Sequence, residues 1–177
     1  MKRFWVFFLF LVLASPSSYA AEDMLWVPDD TTLAMQTFAT CTEGGESTVL
    51  DCRCLAVKLN DLKNTMIDRV FKYGGDDTDA IYEWQSKKSL MYDQAQKTCV
   101  NRQQVSSASY QQCRELNIIA RADYDDYCSC YAITYADILA RVGPNSGIEP
   151  HKLMAEAMTY CNRRQQKKIT SSPVSDR

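Results

Sequence analysis

The sequence predicts an all-α fold made of two tandem disulfide-stapled helical-hairpin repeats packed as one domain. Three observations lead there. Eight cysteines fall twice into one pattern, Cys41, Cys52-Arg-Cys54, Cys99 and then Cys113, Cys128-Ser-Cys130, Cys161. The flanking residues repeat as well: 51–61 aligns without a gap on 127–137, pairing Ala56 with Ala132 and Asp61 with Asp137. Finally, the midpoint between Cys52 and Cys99 falls at Gly75 and Asp76, and that between Cys128 and Cys161 at Pro144 and Asn145. Both midpoints lie in turn-forming residues, as expected if two helices fold back with their cysteines level. Two copies are too few for an open solenoid, so a single packed domain is expected.

Residues 1–20 read as a signal peptide. Lys2 and Arg3 precede the apolar run from Phe4 to Ala14, too short to cross a bilayer stably, and Ser18 and Ala20 suit cleavage. The short basic start favours a bacterial export signal, and no cysteine follows the cut for lipid attachment. Removal of Lys2 and Arg3 leaves 157 residues with 18 basic and 22 acidic side chains, net −4. Such a chain offers no basic stripe for nucleic acid. No later segment is apolar enough to span a membrane. Export and an even cysteine number make oxidised pairs the expectation, in a periplasmic or secreted protein.

Residues 21–31 form an N-terminal arm, with Trp26 its large anchor. Repeat 1 covers 32–104. Asp29, Asp30, Thr31 or Thr32 caps a short helix to Cys41, and a second helix starts near Ser47 and runs to about Tyr73. The run Gly74-Gly75-Asp76-Asp77 breaks it, and Thr78 or Asp79 opens a third helix ending near Cys99. Residues 101–108 read as a linker. Repeat 2 covers 105–166, with helices from Tyr110 to Ala122, Tyr124 to Val142 and Pro150 to about Gln166. Proline suits a first helical position because its missing N–H has no helical partner there. Residues 167–177 are expected to be a disordered tail.

At about 100° per residue, Cys52, Leu55, Leu59, Leu62 and Met66 share one stripe, and Cys54 points about 200° away. The second copy repeats the stripe with Cys128, Tyr131, Tyr135, Ile138 and Val142. On the returning helices, Cys99 aligns with Ala95, Tyr92, Trp84 and Ile81, and Cys161 with Ala157, Met154 and Leu153. Joining core stripe to core stripe gives Cys52–Cys99 and Cys128–Cys161, with Cys41–Cys54 and Cys113–Cys130 completing the set.

Chemistry is weakly written. A redox reading of the Cys-x-Cys elements is opposed by Asp51, Asp123, Asp125 and Asp126, whose charge disfavours thiolate. Arg53 makes the first element the better suited of the two. His151 is the single histidine, so imidazole-based triads and soft-metal sites lack partners. Asp76-Asp77-Thr-Asp79 lacks the alternating ligands of a calcium loop and reads as helix-start charge. The basic run from Arg163 to Lys168 reads as helix C-terminal charge. Tyr124, Tyr127, Tyr131 and Tyr135 line one side of a helix, as a core stripe or as an interaction surface. Met91, Met154 and Met158 read as core filler. Neither the cysteine order of saposin-like proteins nor the spacing of mitochondrial twin-cysteine hairpins matches.

The functional expectation is an exported, non-enzymatic protein acting in interaction, assembly or inhibition in the cell envelope, with another envelope or secreted protein as partner. No catalytic residue, cofactor or metal is called for. The competing expectations are a thiol-disulfide oxidoreductase or carrier using Cys-x-Cys, and an apolar-ligand or lipid carrier.

Overall fold

A computed structural model describes residues 26–116 and 124–171. Six helices account for most of them: α1 (Asp30–Glu43), α2 (Cys52–Lys72), α3 (Asp77–Thr98), α4 (Arg102–Leu116), α5 (Tyr124–Val142) and α6 (Pro150–Ser171). The signal-peptide reading and residues 21–25 of the N-terminal arm lie outside the described residues, as do Asp123, the end of the helix expected up to Ala122 and residues 172–177 of the expected tail.

Local chemistry explains the boundaries. Asp29 caps α1, its carboxylate accepting from the backbone N–H groups of Thr31 and Thr32 at 3.0 Å. Only a 3₁₀ turn forms at Glu46–Thr48, and α2 starts at Cys52 instead of Ser47 because Asp51 accepts from the N–H groups of Arg53 and Cys54. Asp76 and Asp79 form a reciprocal capping box at the start of α3. That box accounts for the acidic cluster at the hairpin turn. Gly74 takes φ 84° in the same turn, a left-handed conformation that a side chain would oppose.

Two stretches expected to be irregular are helical. Asn101 accepts from the Gln104 N–H at 3.1 Å, and α4 begins at Arg102, inside the expected linker 101–108. Val105 and Ser109, four residues apart, are both buried, so this polar segment has an inward stripe that its composition hid. At the other end, α6 continues past Lys167 to Ser171. Arginine, glutamine and lysine are good helix formers, and Gln165, just before the extra turns, is buried.

α2 is the central helix of the first unit, packed by α1 on one side and α3 on the other; α5 plays the same part between α4 and α6. Contact between α3 and α5 joins the units. One buried cluster runs through both, containing Leu33, Leu55, Leu59, Trp84 and Ala95 together with Tyr131, Ile138, Leu153 and Ala157. The stripes expected on α2 and α5 therefore face inward, with Leu62, Tyr135 and Val142 at the margin. At the seam, the Asn145 side-chain amide donates to Gln96 Oε1 at 3.1 Å, and Gly143 (φ 92°) sits against the Lys97 stem.

The disulfides join Cys41–Cys52, Cys54–Cys99, Cys113–Cys128 and Cys130–Cys161, with Cα separations of 5.5–5.9 Å. All lie within one unit, but the expected pairing Cys52–Cys99, Cys41–Cys54, Cys128–Cys161 and Cys113–Cys130 is corrected. The reason is the central position of α2 and α5. A helix flanked on two sides has two covered faces, so cysteines about 200° apart reach different neighbours. Cys52 reaches α1 and Cys54 reaches the end of α3. The inward stripe of α2 thus meets α1 at Cys52, not the end of α3. Beside the second bridge, Asp51 N–H donates to Cys99 O at 2.9 Å and Asn101 N–H to Val49 O at 2.8 Å, an isolated antiparallel link.

The arm is held differently from expectation. Trp26 is 39 % exposed, and Val27 packs against the core. Lys63, buried at 2 % exposure, donates to the Pro28 carbonyl at 2.7 Å and to Asp30 Oδ1 at 2.6 Å. Asn60 donates to Asp30 O and Asn64 to Asp30 Oδ2, so one aspartate gathers three side chains of α2. These bonds hold the Asp30 carboxyl below its usual range, Lys63 contributing most.

Candidate functional site: the groove between α5 and α6

The Cys-x-Cys elements carry no free thiol. Each sulfur is bonded to a different helix, and no described cysteine is unpaired. Asp51 spends its carboxylate on capping, and Asp125 lies 3.5 Å from Arg114 and accepts from Tyr110. A dithiol that cycles between reduced and oxidised forms would need its two sulfurs to meet each other. Here the intervening residue sends them apart.

Of the two readings of the tyrosine column, burial at its centre fits the core stripe. Tyr127 and Tyr131 are buried, and Tyr124 and Tyr135 are half-buried. Tyr131 and Tyr135 stack at 6.0 Å, and the Tyr124 hydroxyl donates to the Cys113 carbonyl. Burial raises the phenol pKa of Tyr131 and Tyr135. Tyr92 is pushed up to about 12, mainly by burial and then by the charge of Glu46, to which its hydroxyl donates at 3.1 Å. These phenols are packing groups, and those of Tyr92 and Tyr124 also donate a hydrogen bond. Met91 is likewise buried and Met154 half-buried, whereas Met158 is exposed. His151 is exposed, its Nε2 3.5 Å from Glu149.

A concave surface lies elsewhere, along the outer side of α5 and α6, with the first residue of α4 at its edge. It encloses about 980 Å³. Ile133, Asp137 and Arg141 come from α5 at intervals of four, and Glu156, Tyr160 and Arg164 from α6 at the same interval. Four-residue spacing puts each trio on one face of its helix. Arg102 and Arg163 complete the charged rim. Ile133 and Tyr160 are each 56 % exposed, a pair of large apolar groups in a charged trough.

Two ion pairs bind the walls together: Arg102 to Asp137 at 2.9 Å, and Arg141 to Glu156 at 2.6 Å. Both are well exposed, so each contributes up to about 1 kcal/mol. Among the described residues, Arg163 and Arg164 form no ion pair. A smaller hollow continues past Ile133 and Arg164 over the Cys130–Cys161 bridge. Thr134 Oγ1 lies 3.6 Å from Cys161 Sγ, so the disulfide locks the two walls at the arginine end.

Sequence reasoning missed this site. It read the basic run as charge at a helix end, but α6 continues past it, so Arg163 and Arg164 stand on a helix wall. The recurring four-residue intervals were visible in the sequence. What was missing was the knowledge that the two outer faces lie side by side. No protein-family model matches the chain, and no curated protein or solved structure is significantly similar to it.

Proposed function

We propose that this is an exported, non-enzymatic helical protein that acts by binding another protein in the cell envelope, most simply in the periplasm. The single observation that supports it is the groove of α5 and α6. It is a rigid, cross-linked concavity that combines exposed Tyr160 and Ile133 with four arginines, and tyrosine and arginine are favoured where proteins meet. Four disulfides fit an oxidising compartment, and among the described residues no helix is long and apolar enough to cross a membrane.

Redox carriage is the weaker reading, because every described cysteine is consumed in a bridge between helices. Lipid carriage is weaker too, since the main concavity is rimmed by arginine, aspartate and glutamate.

The test is site-specific photocrosslinking in the producing cell. A photoreactive residue would be placed in turn at Tyr160, Ile133, Tyr82, Leu90 and Met35, all exposed. A discrete crosslinked protein in the envelope fraction is expected. Absence of adducts at every position, with the protein correctly exported, refutes the proposal.

A further inference from the structure

Charge is unevenly placed on this chain. The sequence as a whole is acidic, net −2, yet the groove collects Arg102, Arg141, Arg163 and Arg164 against only Asp137 and Glu156. Two of these cations are matched within the groove and two are not. The excess positive charge therefore lies at the Arg163–Arg164 end, beside the exposed side chain of Tyr160, with Asp126 the acidic residue of the adjoining hollow. Such a local field steers an oppositely charged partner on approach.

Building on the protein-binding reading above, we propose that the groove receives a short acidic segment of the partner protein, with an apolar side chain seated between Ile133 and Tyr160 and carboxylates on Arg163 and Arg164. Guanidinium groups match carboxylates in planar, two-point hydrogen bonds, which an ammonium cannot do. The nine residues from Ile133 to Arg141 span about 12 Å of helix, enough for about four residues of extended chain or two turns of helix. The matched pairs at the other end are exposed and weak, so Arg102 and Arg141 can exchange their partners for incoming carboxylates at small cost. A longer polyanion fits worse. Nucleic acid needs many clustered cations, and here the two unmatched arginines stand on an acidic body with Asp137 and Glu156 in the trough.

The probe is a fluorescein-labelled peptide alternating glutamate with leucine, followed by fluorescence anisotropy at low ionic strength. A lysine–leucine peptide, heparin and anionic phospholipid vesicles serve as comparison arms. The acidic peptide is expected to bind and to be released by salt. In R163E/R164E its affinity should fall roughly tenfold or more. Tyr160→Ala should weaken it independently and leave the salt dependence unchanged. All three residues are exposed, and an unchanged circular dichroism spectrum would verify folding. No binding of the acidic peptide, undiminished binding by R163E/R164E, or binding of heparin or vesicles in its place would overturn the proposal. Its failure is distinguishable from that of the broader reading. A crosslinked partner retained by R163E/R164E removes the acidic-segment assignment only, whereas loss of all crosslinks at every position removes the interaction reading itself.

Discussion

Removing the Cys54–Cys99 bridge should destabilise the protein more than removing Cys41–Cys52, although the two share the Cys-x-Cys element. The bridges close sequence separations of 45 and 11 residues. In the chain-entropy account these loops correspond to about 4.0 and about 2.8 kcal/mol at 25 °C, a difference of about 1.2 kcal/mol. Packing works partly against the difference, because Cys41 and Cys52 are both buried while Cys54 is only half-buried. The expected ordering is C54A/C99A below C41A/C52A below wild type, measured by urea unfolding. The slope of the transition should rise more in C54A/C99A, since releasing the longer loop lets the unfolded chain expand further. Connectivity is checked first. Trypsin cuts after Arg53, between the two sulfurs, and no lysine or arginine lies between Phe4 and Cys52. Non-reduced digests should give peptide 54–58 linked to peptide 98–102, with Cys41 and Cys52 looped inside the peptide ending at Arg53. Finding all three peptides in one species would refute the pairing. A C41A/C52A variant with equal or lower stability and the steeper transition would refute the loop-entropy reasoning.

Three further outcomes follow from particular contacts. Lys63→Met removes two hydrogen bonds from a buried site and should cost about 1–3 kcal/mol in the urea midpoint, with the arm around Pro28 losing protease resistance. The Asp30 carboxyl sits below its usual value of 3.8 because Lys63 and then Asn64 bond to it. Its contribution to stability is therefore complete above the unfolded carboxylate range and is lost as pH falls through the depressed folded value, so D30N should flatten the stability–pH curve on the acid side of pH 3.8. At Gly143, φ is 92° and an added Cβ would lie 3.0 Å from Lys97 Cγ, so Gly143→Ala should lower stability by about 1–2 kcal/mol; an unchanged thermal midpoint would contradict the strained turn.

How far the sequence reached can be judged from its cysteines. Their spacing located both hairpin turns, because antiparallel helices of equal rise place equidistant residues level. Asp29 was among the caps the sequence offered for α1, whereas the caps of α2 and α3 are Asp51 and Asp76 in place of the starts expected at Ser47 and at Thr78 or Asp79; each meets backbone N–H groups that need acceptors. These are local relations, satisfied within a few residues. The segment 101–108 was misread because its polarity masked the inward pair Val105 and Ser109, and the stretch after Lys167 because charge resembles disorder when the helix beneath it is unseen.

What the chain determined by itself is helix content, the stripes that face inward and the confinement of bridges to each copy. Only the tertiary structure decided which neighbour covers each stripe, and with it the pairings Cys41–Cys52 and Cys54–Cys99. It also decided that Tyr160 and the arginines of α4, α5 and α6 line one trough. The physical reason is that periodicity records whether a face leaves water. The identity of whatever meets that face depends on how three helices are arranged in space, which a one-dimensional pattern does not contain.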